Sequence, residues 1–233
     1  MTQNENNLVF VPLGGTGEIG MNCNLYGYGA SNRRDWIMVD LGVTFGRHTE
    51  PGIELITADT GFIEAEKSRL HALLLTHGHE DHIGAVAHLW PRLKCPVYAT
   101  AFTAELVRGK LAEAGLLEAL PLHIVDPRQS LELGPFHIDY IGLTHSIAEP
   151  NALAVRCGGA RVLHTGDWKI DPDPVIGKVT EHERLKAFGD EGVDAIVCDS
   201  TNVLSEGRSG SEADVSTALN KVVAESTGRV VVT

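Results

Sequence analysis

The chain is short of cysteine, of basic charge and of long apolar runs. Only four cysteines occur in 233 residues, Cys23, Cys95, Cys157 and Cys198, and no two stand at Cys-x-x-Cys spacing. Their scatter argues against a thiolate zinc site or a redox dithiol, and reduced thiols in the cytoplasm are expected. No segment reaches the roughly 20 apolar residues of a membrane-crossing helix. The opening Thr2-Gln3-Asn4-Glu5-Asn6-Asn7 is polar and lacks the basic start and apolar stretch of a secretion signal. A cytoplasmic location without membrane association is therefore expected. Lys and Arg number 19 against 31 Asp and Glu, a formal net charge of −12. That balance argues against a surface that attracts nucleic acid everywhere, which needs clustered basic residues.

What is present is an ordinary globular composition, 43% apolar and 21% charged, enough for one large domain or two small ones. From Leu8 to about Leu143 short apolar runs alternate with turn residues, as at Leu8 to Val11, Trp36 to Val39, Leu73 to Leu75 and Val97 to Ala99. These runs predict strands. Phe136, Ile138 and Tyr140 alternate with His137 and Asp139, the period of a strand with one buried face. Leu153 to Val155 and Arg161 to Leu163 predict two more strands, with Gly158-Gly159 as their hairpin turn. Helical spacing covers Thr103 to about Leu117, with Val107, Leu111 and Ala114 on one face, and about Ile83 to Leu89. A sheet-based α/β domain is expected over residues 1–205. After the polar stretch around Gly207 to Ser211 a second unit, 206–233, is expected to begin. Ser211 and Asp214 stand at capping-box spacing ahead of an amphipathic helix carrying Val215, Leu219, Val222 and Val223, and Arg229 to Val232 reads as a strand. One helix and one strand cannot bury a core of their own, so the chain is expected to stop shortly after entering this second domain.

The chemistry is concentrated in Thr76-His77-Gly78-His79-Glu80-Asp81-His82, between a predicted strand and a predicted helix. In an extended loop His77 and His79 point to one side and can share an ion. Asp81 and His82 are adjacent, and a turn into the helix directs them to a second ion a few ångströms away. Imidazole and carboxylate without thiolate suit a catalytic zinc or manganese site. His145 in Leu143-Thr144-His145-Ser146 and Asp167 in His164-Thr165-Gly166-Asp167-Trp168 follow predicted strands, where a rigid sheet can place ligands. Asp167 is assigned the bridging position, because its two carboxylate oxygens can reach two cations. His48, His71, His88, His123, His137 and His182 lack paired spacing and are read as ordinary surface or core histidines. His164 is read as packing or support for the site. Gly14-Gly15-Thr16-Gly17 lacks the Lys-Ser/Thr ending of a phosphate loop and the spacing of a dinucleotide fingerprint, so a tight turn near the site is expected.

The order His77-x-His79-x-Asp81-His82, then His145, then Asp167, resembles the motifs of the metallo-β-lactamase superfamily, with Asp40 in Val39-Asp40-Leu41-Gly42 similar to its first motif. Within it, Leu13-Gly14-Gly15-Thr16-Gly17-Glu18-Ile19-Gly20-Met21-Asn22, Thr144-His145-Ser146-Ile147, Thr165-Gly166-Asp167-Trp168-Lys169 and Asp199-Ser200-Thr201-Asn202 resemble the ribonuclease J family, from about Leu8 to the last residue. The histidine cluster is common to many hydrolases; the glycine-rich opening and the Asp-Ser-Thr-Asn stretch are more particular.

The resemblance implies an αββα sandwich with the start of a β-CASP α/β domain at its C-terminal end. It places His77, His79 and His145 on one divalent metal, Asp81 and His82 on a second, and Asp167 between them; zinc comes first, with manganese or magnesium as alternatives. Asp81, Asp40 and Asp199 are the candidate catalytic aspartates. Asp40 is either a support that orients a ligand histidine or a turn residue at a strand end. Asp199 is either the first β-CASP motif or a loop cap. The implied reaction is hydrolysis of RNA phosphodiesters to 5′-phosphate ends, as 5′-to-3′ exonuclease, endonuclease or both, in RNA processing and decay. Divalent cations in a cleft would supply the positive charge that the formal count omits. The family completes its second metal site with a later histidine, and none occurs here beyond His182. It also carries a C-terminal dimerising region, so a parent protein that forms homo-oligomers is expected. The main rival is a small-molecule hydrolase of the same fold, acting on a thioester or lactone. A redox di-iron protein would place a carboxylate where His79 stands, and a non-catalytic module would not need all six ligands.

Overall fold

The computed structural model describes residues 6–232. Two antiparallel connections link β1 (Asn7–Gly14), β2 (Cys23–Ala30) and β3 (Arg33–Val39). A small hairpin of β4 (Val43–Phe45) and β5 (Leu55–Thr57) and the short α1 (Gly61–Ala65) lead to β6 (Leu70–Leu74), which runs parallel to β3. Then α2 (Glu80–Ile83), α3 (Val86–Leu93), β7 (Val97–Ala99), α4 (Ala101–Glu113) and β8 (Leu122–Ile124) complete a six-stranded sheet ordered β1-β2-β3-β6-β7-β8. The second sheet begins as a meander of β9 (Leu131–Leu133), β10 (Phe136–Gly142), β11 (Asn151–Cys157) and β12 (Ala160–His164). It closes with α5 (His182–Asp190) crossing over to β13 (Ala195–Val197), parallel to β12. The last element is α6 (Glu212–Glu225).

Side-chain alternation sorts these elements into layers. Ile37, Val39, Ala72 and Leu74 of the first sheet meet Ile138, Tyr140, Leu153 and Val155 of the second in one buried cluster between the sheets. The alternate residues Trp36, Met38, Leu73 and Leu75 face the other way and bury Ile63, Val86, Leu89, Trp90, Val107 and Leu111 of α1, α3 and α4. On the far side of the second sheet Ala152 and Ala154 pack against Phe188 of α5. Helix, sheet, sheet and helix stack in that order, the αββα sandwich expected, because strands with two apolar faces need a layer on each.

The expected strands at Trp36, Val97, Phe136, Leu153 and Arg161 form, and Gly158 and Gly159 have φ of 59° and 88°, as a tight hairpin with two left-handed residues requires. Three expectations need correction. The helix foreseen from Ile83 starts earlier, at Glu80, and is two helices separated around Gly84 and Ala85. The helix foreseen to Leu117 ends at Glu113, and Ala114 is exposed while Val107 and Leu111 are buried; Gly115 turns left-handed at φ 67° and ends the spiral. Arg229 to Val232 pairs with no described strand, and without a ladder partner it forms none. The capping box at Ser211 and Asp214 forms, but Val215, Leu219, Val222 and Val223 of α6 stay exposed.

Candidate metal centre

Five strands deliver the site to one edge of the sandwich. Asp40 follows β3, residues 77–82 follow β6, His145 follows β10, Asp167 follows β12 and Asp199 follows β13. The chain stays extended through His79, the N-cap of α2 at φ −71° and ψ 153°, and then turns into the helix with Asp81 and His82 in its first turn. That turn packs directly on the segment after β3 and on the entry to β2: Leu41 N donates to His82 O at 2.8 Å and Asn22 N to Asp81 O at 2.9 Å. Only glycine permits the approach, since a Cβ on Gly42 would lie 1.6 Å from the Asp81 carbonyl oxygen. Gly15, Gly17 and Gly20 all take positive φ, and the loop they form lies over the site as the tight turn expected.

All six residues named from the sequence come together. His77, His79, His145 and Asp167 form one group that could hold a cation, and Asp81, His82 and Asp167 form a second, with ligand atoms in each group within 4.8 Å of one another. Asp167 belongs to both: its Oδ1 lies 3.3 Å from His82 Nε2 and its Oδ2 3.7 Å from His145 Nε2. His79 Nδ1 lies 3.1 Å from His77 Nε2 and 3.2 Å from His145 Nε2. Facing lone pairs repel unless a proton or cation lies between them. A tetrahedral zinc with bonds of about 2.0–2.1 Å has ligand edges of about 3.3–3.4 Å, so this spacing suits one.

Buried hydrogen bonds orient the rings. Asp40 is 0% exposed and left-handed at φ 61°. Its Oδ1 accepts from Thr76 N at 2.8 Å, and its Oδ2 accepts from Thr76 Oγ1 at 2.8 Å and His82 Nδ1 at 2.7 Å. With its own proton given to Asp40, Thr76 Oγ1 can accept from His77 Nδ1 at 3.0 Å. Nε2 of both histidines is then left to face the site. Burial, followed by the neighbouring His82 charge, pushes His77 well below the ordinary histidine range. Burial likewise lowers His79 and His145, so all three stay neutral, the form that binds metal. At His82 burial opposes charge, but Asp40 and hydrogen bonds to Asp167, Asp40 and Asp81 raise it well above the ordinary value. Asp81 and Asp167 are held low despite their burial, chiefly by His82. Three carboxylates thus surround a single imidazole, an excess of negative charge that a divalent cation would balance. The donor set fits.

Asp199 reaches the same cleft but joins neither group. Its Oδ1 accepts from Thr201 N at 2.8 Å and from Thr201 Oγ1 at 2.5 Å, the geometry of a loop cap. His164 packs below the site with Nδ1 at 2.9 Å from the buried Tyr26 hydroxyl. Two contributors had no role assigned from the sequence. Thr76 links Asp40 to His77, and Asn22 Nδ2 lies 3.0 Å from His82 Nε2 and 3.4 Å from Asp81 Oδ2. Both stand inside the motifs already quoted, at the start of the histidine run and the end of the glycine loop. The site opens into a cleft of about 840 Å³ lined by Asn22, Asp81, His82, Asp167, Asp199 and the loop from Gly15 to Gly20.

A beta-lactamase superfamily domain matches residues 36–201. The chain is 48% identical over all of its length to a Ribonuclease J of Sinorhizobium meliloti and 41% identical over 97% of its length to a Ribonuclease J of Corynebacterium glutamicum. It spans 41% and 31% of those two proteins. A solved protein of unknown function from Enterococcus faecalis shares the fold at a TM-score of 0.61, with 13% identity over 96% of this chain and 59% of that one. The match over residues 36–201, on an αββα sandwich whose strand ends carry the histidine and aspartate motifs, places the chain in the metallo-β-lactamase superfamily, with its sequence likeness to ribonuclease J.

Proposed function

We propose that this chain is the metal-holding part of a ribonuclease that hydrolyses RNA phosphodiesters to 5′-phosphate and 3′-hydroxyl ends, as 5′-to-3′ exonuclease, endonuclease or both. The observation that carries the reading is the pair of ligand groups sharing Asp167 at the floor of the cleft, in a chain 48% identical to a Ribonuclease J. His77 Nε2, His79 Nδ1 and His145 Nε2 would hold one cation, Asp81 and His82 Nε2 the other, with an oxygen of Asp167 on each. Zinc suits this nitrogen and oxygen set, and manganese or magnesium are the alternatives. When bound, two such ions lower the pKa of water and offset charge gathering on the phosphoryl oxygens. The residues of the chain hold and orient. Asp40 keeps the proton on His82 Nδ1, Thr76 aligns His77, and the loop from Gly15 to Gly20 walls the cleft.

Residues 206–233 begin a second unit on this reading, of the β-CASP kind, with the metallo-β-lactamase domain over 1–205. The exposed apolar residues of α6 support that division. Asp199 stands at the junction and reaches the substrate from the cleft wall, and oligomers form through parts of the longer protein. A hydrolase acting on a thioester or lactone is the second reading, favoured by the formal charge of −12. The deciding experiment measures metal per chain and cleavage of a 5′-monophosphorylated RNA oligonucleotide, by this chain and by a version extended to the length of its relatives. Two metals and cleavage in the extended protein support the nuclease; metal with no cleavage in either moves the assignment to the small-molecule hydrolase.

A further inference from the structure

The segment after Asp167 carries polar groups that neither ligand group uses. Lys169 and Thr144 form an isolated antiparallel bridge: Lys169 N donates to Thr144 O at 2.9 Å and Thr144 Oγ1 donates to Lys169 O at 2.6 Å. Thr144 directly precedes His145, and Lys169 stands two residues past Asp167. One bridge therefore sets the spacing between the loop of a ligand histidine and the loop of the shared carboxylate.

From that bridge the Lys169 ammonium reaches Asp171 Oδ2 at 3.0 Å and Glu212 Oε1 at 2.7 Å. The Asp171 side chain is only 1% exposed, and its Oδ2 also accepts from Glu212 N at 2.9 Å. Glu212 is the first residue of α6, and its Oε2 accepts from Val175 N at 2.9 Å. Since α6 buries none of its side chains, this polar junction is where it is held. A buried carboxylate stripped of its cation is strongly destabilising, so the loop, the lysine and the helix start must move together.

We propose that Lys169, with Asp171 and Glu212, is a positioning clamp through which the placement of α6 sets the geometry of Asp167 and His145. The clamp rests on the reading of those two residues as metal ligands. It makes the second unit a determinant of metal affinity, although α6 supplies no ligand.

The test is cobalt(II) titration of the whole chain against a competing chelator, following the visible absorption of the bound ion, with Lys169→Met, Glu212→Gln and the exposed control Lys221→Met. Both clamp variants should weaken cobalt binding about tenfold or more and shift its visible bands, as the loss of groups that orient metal ligands does, while Lys221→Met matches the parent. Unchanged affinity and bands in both overturn the clamp, and a loss confined to Lys169→Met overturns the coupling to α6. Glu212→Gln keeps the Ser211 cap and carries the test if Lys169→Met fails to fold. A parent chain that takes up no cobalt overturns the metal reading as well, which separates the two failures.

Discussion

Asp40 and His164 show what a single buried group does to its neighbours here. Asp40 accepts three hydrogen bonds and holds the Nδ1 proton of His82. Asp40→Asn can no longer take all three, and zinc affinity should fall about 10–100-fold with the circular dichroism spectrum unchanged, as chelator competition would read. On the proposed two-cation reading, His82→Ala should lower the bound metal per chain towards one by elemental analysis. His164 is one source of pH dependence. Burial holds it down at about 4, from 6.5 in the open chain, and its Nδ1 is hydrogen-bonded to the Tyr26 hydroxyl at 2.9 Å. Between those values the unfolded chain binds a proton that the folded chain refuses. Its contribution to stability is therefore full above 6.5, falls as the pH drops towards 4 and levels off below, about 3 kcal/mol from this one group. Urea unfolding across that window should show the decline, and His164→Gln should make it shallower.

Two helices illustrate opposite kinds of anchoring. The four residues of α2 have little helical stability of their own, and they stand because Gly42 lets the backbone of Asp81 pack against the segment after β3. Gly42→Ala drives a methyl group into that carbonyl. The expected cost is about 1–3 kcal/mol or more in unfolding free energy, together with weaker metal binding, because the displaced turn carries Asp81 and His82. The fourteen residues of α6 make a regular helix that packs little, held at its first turn by the Ser211 and Asp214 capping box and by Glu212. Ser211→Ala should cost the helix about 1 kcal/mol and raise amide exchange along α6 by about fivefold, with exchange in the strands unchanged.

At the scale of the molecule, two strand sets from different sheets must close on one point before any cation can bind. Folding thus assembles the site, and a cation that binds only there would stabilise the folded chain by mass action. Zinc at about 100 times its dissociation constant should add about 2.7 kcal/mol to stability, read as a higher thermal midpoint that a chelator returns to baseline. No change on adding zinc would mean that the assembled groups hold none. The net charge of −12 repels a polyanion, so on the proposed nuclease reading RNA binding should strengthen once cations are added and weaken when they are removed.

The cluster of His77, His79, Asp81 and His82 was legible in the sequence because its spacing is local: two histidines with one residue between them, then an adjacent aspartate and histidine, need only a strand that ends in a turn. Strand positions such as Phe136 to Tyr140 were legible too, since their alternation is a direct consequence of burial on one face. Tertiary structure alone decided the rest. The pairing of Thr76 with Asp40 and of Lys169 with Thr144 spans 36 and 25 positions, and no periodicity encodes such partners. The early start of α2 depends on Gly42, far off in sequence, which meets the backbone of Asp81. The strand read at Arg229 to Val232 has the right composition but pairs with no strand among the described residues, and a strand exists only where another one completes its hydrogen bonds.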